Sequence, residues 1–216
     1  MQQSSIWKIK FYGVRGSTPV CETGVQKFGG NTTCIYADLL VGGQERAVAI
    51  FDAGTGIRKL GKEICDGIIP NTKNIYLLFT HFHWDHIQGL PFFAPAYLPH
   101  QKLKIFSPHH ELKKKDLKQI FEVQMQREYF PVQLDHMGAK FKFITEQNYK
   151  TNLTEHSKVD FSYRLHNHPG GAYSYRMSAY GKTVVLCTDL EHGENIDLEV
   201  VRFCEEADLL IHDAQY

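Results

Sequence analysis

Between residues 80 and 86 the chain reads Thr80-His81-Phe82-His83-Trp84-Asp85-His86, three imidazoles and a carboxylate in one short run. Neutral imidazole nitrogens and carboxylate oxygens are the donors that zinc, manganese and iron(II) sites use. His81 and His83 are two residues apart, so on an extended strand end they project from the same face and can share one ion. Asp85 and His86 follow where the chain must turn and can address a neighbouring ion. Two divalent ions a few ångströms apart, each with an open position, form a hydrolytic centre, because they bring the pKa of a shared water from its bulk value toward about 7. A lone histidine is usually a surface or core residue. Three histidines and an aspartate at this spacing point to a dinuclear hydrolase.

The run needs a rigid platform, and residues 75–79 (Ile-Tyr-Leu-Leu-Phe) supply it as an apolar strand. Upstream, residues 6–11 alternate as a half-buried strand, residues 34–40 read as a second, Gly42-Gly43 as a turn, and residues 47–51 as a third that leads to Asp52. Residues 57–64 carry apolar side chains at helical spacing and stop before Gly67 and Pro70. Residues 110–127 predict the longest helix, with Leu112, Leu117, Ile120, Phe121 and Met125 for a buried face and Lys113-Lys114-Lys115 most simply on the solvated one, the alternative being a phosphate-steering patch. Residues 128–132 (Glu-Tyr-Phe-Pro-Val) end it, their rings either walling a pocket or packing the helix onto a sheet. Residues 141–144, 161–165, 173–177 and 183–187 predict strands of a second sheet. The rhythm is that of two sheets flanked by helices.

At 216 residues the chain suits a single domain, 1–216. Lysine plus arginine and aspartate plus glutamate balance at 24 each. No overall positive field argues for duplex nucleic acid, and a small anionic substrate fits better. Five scattered cysteines without a C-x-x-C pair read as free thiols of a reducing compartment rather than a disulfide framework or zinc finger. The first residues lack the basic and apolar regions of a secretory signal, and no apolar run reaches spanning length. The expectation is a cytoplasmic protein that does not enter the membrane.

The HxHxDH motif, followed by Ile87-Gln88-Gly89-Leu90-Pro91, resembles the signature of the metallo-β-lactamase-fold hydrolases. Phe51-Asp52-Ala53-Gly54-Thr55-Gly56 looks like that family's strand-ending aspartate loop, residues 165–171 (Leu-His-Asn-His-Pro-Gly-Gly) like its next histidine motif, and Thr188-Asp189-Leu190-Glu191 like the segment with a bridging aspartate. Gly13-Val14-Arg15-Gly16-Ser17-Thr18-Pro19, Gly29-Gly30-Asn31-Thr32-Thr33, residues 91–97 and His212-Asp213-Ala214-Gln215-Tyr216 are most similar to the branch related to ribonuclease Z and phosphoribosyl cyclic phosphodiesterase.

The resemblance implies an α/β fold, the αββα sandwich of two mixed sheets flanked by helices. It implies two divalent metal ions, zinc first and manganese or iron otherwise. His81, His83 and His168 would hold one ion, Asp85 and His86 the other, and Asp189 would bridge them, with His166 the second candidate for the role given to His168. Asp52 would fix a histidine tautomer rather than bind metal. Asp85 is a candidate for orienting the nucleophile or taking its proton, and Asp213 aligns with an acidic residue that relatives use beside their proton donor. Relatives continue past the segment like 212–216 into a Gly-His-Ser/Thr loop and a last ligand histidine, so the family pattern leads one to expect a shortened C-terminal end here.

The function implied is a metal-dependent phosphodiesterase acting through hydroxide on a small cyclic or linear phosphate diester. The alternatives are a non-catalytic or weakly active metal-binding scaffold and a tRNA 3′-processing nuclease; nucleic acid is not the favoured partner. The ribonuclease Z resemblance suggests a homodimer. Cys187, just before Asp189 on a predicted strand, reads as buried rather than as the cysteine ligand of a serum-type lactamase.

Overall fold

The computed structural model describes residues 6–25, 27–41, 45–108, 114–146, 149 and 159–214. The chain divides into two compact units, residues 1–145 and 146–216.

The first unit is built on a six-stranded mixed sheet. Its strands are β1 (Ile6–Gly13), β2 (Cys34–Val41), β3 (Glu45–Phe51), β4 (Asn74–Leu78), β5 (Lys102–Phe106) and β6 (Lys140–Ile144), adjacent in that order. The first three form an antiparallel meander; β3 to β6 run parallel. A parallel connection needs a crossover, and helix α1 (Ile57–Cys65) provides it between β3 and β4. Ile57, Leu60, Gly61 and Ile64 recur at i, i+3, i+4 and i+7 and are all buried, the stripe expected of an amphipathic helix. Helix α3 (Lys114–Gln124) buries Leu117, Phe121 and Gln124 in the same way. Ile50, Ile75, Leu77, Leu103, Ile105 and Phe143 meet these helix faces in one core, where full burial of each large apolar side chain is worth about 1.5–3 kcal/mol.

Two expectations are corrected within this unit. The strand at 141–144 belongs to the first sheet, as the edge strand β6 paired with β5. Its alternation is that of any half-buried strand, and only long-range pairing decides which sheet receives it. Strand β5 was not foreseen, although Lys102-Leu103-Lys104-Ile105-Phe106 alternates polar and apolar. The long predicted helix is observed over Lys114–Gln124 and ends three residues before the expected Arg127; its expected start at 110–113, with Leu112, lies outside the described residues, as does the Gly42-Gly43 turn.

The second unit carries a four-stranded mixed sheet. It is formed by β7 (Asp160–His166), β8 (Ala172–Ala179), β9 (Lys182–Cys187) and β10 (Leu209–His212), in the order β10-β9-β8-β7. Only β10 against β9 is parallel, and the crossover between them is α4 (Leu198–Cys204), whose first turn is capped by the Asp197 carboxylate. The α4 helix and β10 were not foreseen. Two mixed sheets and accompanying helices are the expected α/β class. Among the described residues no helix is long and apolar enough to cross a membrane.

Candidate metal centre

In the first unit, the donors gather where parallel strands end. The chain leaves β3 at Asp52, whose φ of 58° lies in the left-handed region, sparsely populated for a residue with a Cβ. Its N–H still donates to the Leu78 carbonyl, 3.0 Å, at the end of β4. The strained residue is over-determined by its side chain. Oδ1 accepts from the Thr80 N–H at 2.8 Å, and Oδ2 accepts from the Thr80 hydroxyl at 2.9 Å and from His86 Nδ1 at 2.8 Å. Burial pushes the Asp52 carboxyl up, while His86 and Thr80 pull it down.

These contacts fix protons on two rings. His86 gives its Nδ1 proton to Asp52, which leaves Nε2 with its lone pair. The Thr80 hydroxyl has one hydrogen and spends it on Asp52, so toward His81 Nδ1, 3.1 Å away, its oxygen accepts. His81 is thereby also protonated on Nδ1 with Nε2 as electron-pair donor. This is the tautomer a metal-binding imidazole takes when a carboxylate or hydroxyl orients it from behind.

His81, His83 and the short helix α2 (Trp84–Ile87) follow β4. Both histidines lie just past the end of β4, whose register with its neighbours runs through Leu78 and whose last backbone bond is the Phe79 N–H on the Phe106 carbonyl, 2.9 Å. His83, at the N-cap of α2, is extended with ψ 152°, so the two rings still come together, their centroids 4.4 Å apart and edge to face. The His81 and His86 rings lie 4.2 Å apart. Within each pair, ring nitrogens approach to within 4.8 Å.

Asp85, on α2, points its Oδ2 at the backbone N–H of Ser17, 2.8 Å, and lies 3.4 Å from His86 Nε2. Burial alone would raise this carboxyl; His86 in its protonated form and the Ser17 N–H outweigh it and hold the group well below the usual carboxylate range, a pull from His86 that is absent in the neutral tautomer with its lone pair on Nε2. Backbone packing carries α2 up to the Asp52 loop. Ala53 N–H donates to the His86 carbonyl at 2.7 Å and Gly89 N–H to the Ala53 carbonyl at 2.8 Å. A Cβ on Gly54 would fall 2.4 Å from the Asp85 carbonyl oxygen, so only glycine admits this approach. Asn31 anchors the same loop: its Oδ1 accepts from the Thr55 hydroxyl at 3.1 Å, as Thr32 and Thr55 exchange backbone-to-hydroxyl bonds.

The second unit presents its own set at strand ends. His166 closes β7, is buried, and places Nδ1 2.8 Å from the Ser174 hydroxyl; burial pushes its pKa down to about 4. His168 lies beyond the strand in a turn closed by the Gly171 N–H on its carbonyl, with Nδ1 3.5 Å from Glu191 Oε1. The two histidines therefore differ: His166 is engaged with the sheet, whereas His168 sits on the loop. That loop is tied to the one after β9 through the Glu191 N–H on the Asn167 carbonyl, 2.9 Å. Asp189 stands there with φ 60°, a second left-handed aspartate directly past a strand. At the end of β10 the Asp213 N–H donates to the Cys187 carbonyl, 3.2 Å, and its carboxylate lies 3.0 Å from His212 Nδ1. Burial and the nearby Asp189 push the Asp213 carboxyl up although His212 pulls it down. Cys187 is fully buried, as expected.

Asp52, Thr80, His81, His83, Asp85 and His86 are thus collected in the first unit, and His166, His168, Asp189 and Asp213 in the second. Two contributors escaped sequence reasoning, the Thr80 hydroxyl and the Ser17 N–H. Thr80 stands beside the histidine run, but its role depends on Asp52 arriving from 28 residues away. The first unit's donors fit a divalent ion: imidazoles with fixed tautomers beside an ionised carboxylate.

Comparison with known proteins agrees with this geometry. A family model described as a Beta-lactamase superfamily domain matches residues 49–216. Among solved structures, human tRNase Z, short form, is similar with a TM-score of 0.60 at 16% identity, over 98% of this chain and 79% of that one. The metallo-beta-lactamase fold protein YhfI from Bacillus subtilis is similar with a TM-score of 0.56 at 16% identity, over 94% of this chain and 70% of that one. No curated protein matches the sequence.

Proposed function

Because this chain belongs to the family of beta-lactamase superfamily domains, whose fold implies divalent metal ions and metal-dependent hydrolysis, we propose that it is a phosphodiesterase for a small cyclic or linear phosphate diester. The observation that carries the reading is the pair of imidazoles, His81 and His86, whose Nδ1 protons are committed to Thr80 and Asp52. Such an arrangement orders electron pairs for a Lewis acid rather than for general acid–base work by the rings themselves. The fold likeness to human tRNase Z supports a phosphodiester as the bond attacked.

On this reading His81, His83 and His168 hold one ion, Asp85 and His86 a second, and Asp189 bridges, with zinc the first candidate. When bound, the ions supply charge to a phosphoryl oxygen and acidify water. The chain's own residues do the rest. Asp52 and Thr80 keep the rings from rotating or changing tautomer. The Ser17 N–H holds Asp85 in one rotamer, leaving its other oxygen to orient the attacking water or take its proton. Asp213, whose carboxyl burial raises, is the candidate for holding the proton that the departing alkoxide needs.

A tRNA nuclease remains the second reading, and the tRNase Z likeness favours it. The balance of 24 basic and 24 acidic residues favours the small diester. The test is metal content per chain with bis-p-nitrophenyl phosphate hydrolysis, on wild type and Asp189→Ala. Two ions and hydrolysis lost in the variant support the proposal. One ion or none, with no hydrolysis after metal addition, overturns it in favour of a non-catalytic scaffold.

A further inference from the structure

We infer that Cys187 and Cys204 form a redox-modification site, two thiols placed to close into a disulfide when the protein meets a peroxide. Cys187 is the last residue of β9 and Cys204 the last of α4. Their sulfur atoms lie 3.6 Å apart, within the small core of Val185, Leu190 and Val200. A disulfide needs a separation of about 2.05 Å, so closure asks the two sulfurs to approach by about 1.5 Å. The end of α4 is held by Arg176 on the Phe203 and Glu205 carbonyls and by the Ala207 N–H on the Cys204 carbonyl, and β9 is paired on both sides, so the approach falls to rotation of the partly exposed Cys204 side chain between rotamers.

Access differs between the two thiols and orders the chemistry. Cys187 is fully buried. Cys204 is partly exposed and lines an open groove of about 380 Å³ with Leu190, Val201 and Leu210, wide enough for a small oxidant. The Cys204 sulfur attacks the peroxide O–O bond, forming a sulfenic acid and releasing one water. The Cys187 sulfur then displaces the sulfenic oxygen as a second water, forming the S–S bond. In sum, two thiols and one hydrogen peroxide give one disulfide and two waters; each sulfur loses one electron and the peroxide gains two.

The crosslink would enclose residues 188–203, the segment that carries Asp189, and would remove the Cys187 thiol from Ser174, which also holds His166. Oxidation is therefore expected to slow amide exchange across 190–197, since both ends of the segment become covalently joined.

Trypsin cuts after Lys182 and Arg202, which separates the two cysteines into peptides 183–202 and 203–216. The full chain is treated with one equivalent of hydrogen peroxide, alkylated, digested and mapped without reductant. The expected product is these two peptides joined, lighter than their sum by two hydrogens and separated again by dithiothreitol. Cys204→Ser, at the half-exposed position, keeps its circular dichroism spectrum and loses the linked species. Recovery of both thiols alkylated while the exposed Cys21 and Cys65 are oxidised overturns the proposal. So does a Cys204 sulfenic acid trapped by dimedone with no linked peptide. Neither readout depends on bound metal or on hydrolysis.

Discussion

The carboxylate of Asp52 lies 2.8 Å from Nδ1 of His86, with both side chains buried and 34 residues between them in the chain. The same carboxylate binds Thr80, and through Thr80 reaches His81. One aspartate at the end of β3 thus dictates which nitrogen of two imidazoles remains available.

Replacing Asp52 by asparagine keeps the shape and inverts the proton logic. An amide nitrogen opposite His86 Nδ1 donates instead of accepting, which moves the ring proton to Nε2. Metal affinity is expected to fall about 10–100-fold, read by competition with a chromogenic chelator, with the tautomer read from the His86 nitrogen shifts. Asp52→Ala additionally leaves buried donors unsatisfied and should cost about 2–3 kcal/mol of stability. Unchanged affinity in the asparagine variant would remove the role given to Asp52.

Gly54→Ala tests the backbone approach that seats α2. The added Cβ would meet the Asp85 carbonyl oxygen at 2.4 Å and Thr32 Oγ1 at 2.5 Å, and a backbone oxygen cannot swing away as a side chain does. Destabilisation of about 1–3 kcal/mol, the usual cost of overpacking, is expected in urea melts. Gly67→Ala is a poor control despite its open surroundings, because its φ is +74°; Gly193, with open space and no such constraint, serves instead.

Stability should carry an acid-side signature at Glu63, which accepts from Lys10 Nζ and from the Tyr12 hydroxyl, each at 2.6 Å. Burial opposes its ionisation, but these two partners outweigh it and lower its pKa in the fold. The folded protein then binds fewer protons than the unfolded chain as pH falls through the unfolded value of about 4.3. The contribution is fully present above that value and is lost as pH drops through the folded pKa. Glu63→Gln should lower stability at pH 7 by about 1–2 kcal/mol and differ less from wild type in melts at pH 3. An equal deficit at both pH values would contradict this assignment.

Chelation followed by metal return gives a reading independent of substrate. If the strand-end donors bind divalent ions in the folded state only, zinc at a hundred times its dissociation constant stabilises by about 2.7 kcal/mol, seen as a raised melting temperature. His81→Ala should abolish most of that shift. A melting temperature indifferent to zinc and manganese would refute the metal centre.

Much of this was legible in the residues themselves. The Thr80–His86 run declared its donors by composition alone, and the strands at 34–40, 47–51 and 75–79 fell within two residues of those observed, because apolar periodicity is a local signal. Helix α1 was equally plain from Ile57, Leu60 and Ile64. The short charged strand β5 and edge strand β10 were missed or unassigned, since four or five residues give periodicity too few repeats to stand out. The small helix α4 went unread for the same reason, despite its Asp197 cap.

The sequence by itself determined the donor types, their density after β4, and the alternation of strand and helix that makes two mixed sheets. Tertiary structure alone decided that Asp52 faces His86, that Thr80 relays that choice to His81, that residues 140–144 complete the first sheet, and that Cys187 meets Cys204. The physical reason is the same in each case. Local spacing governs which way a side chain leaves its own strand or helix, but a hydrogen bond or a sulfur contact between residues 17 to 34 positions apart depends on strand register and loop closure, which no local pattern encodes.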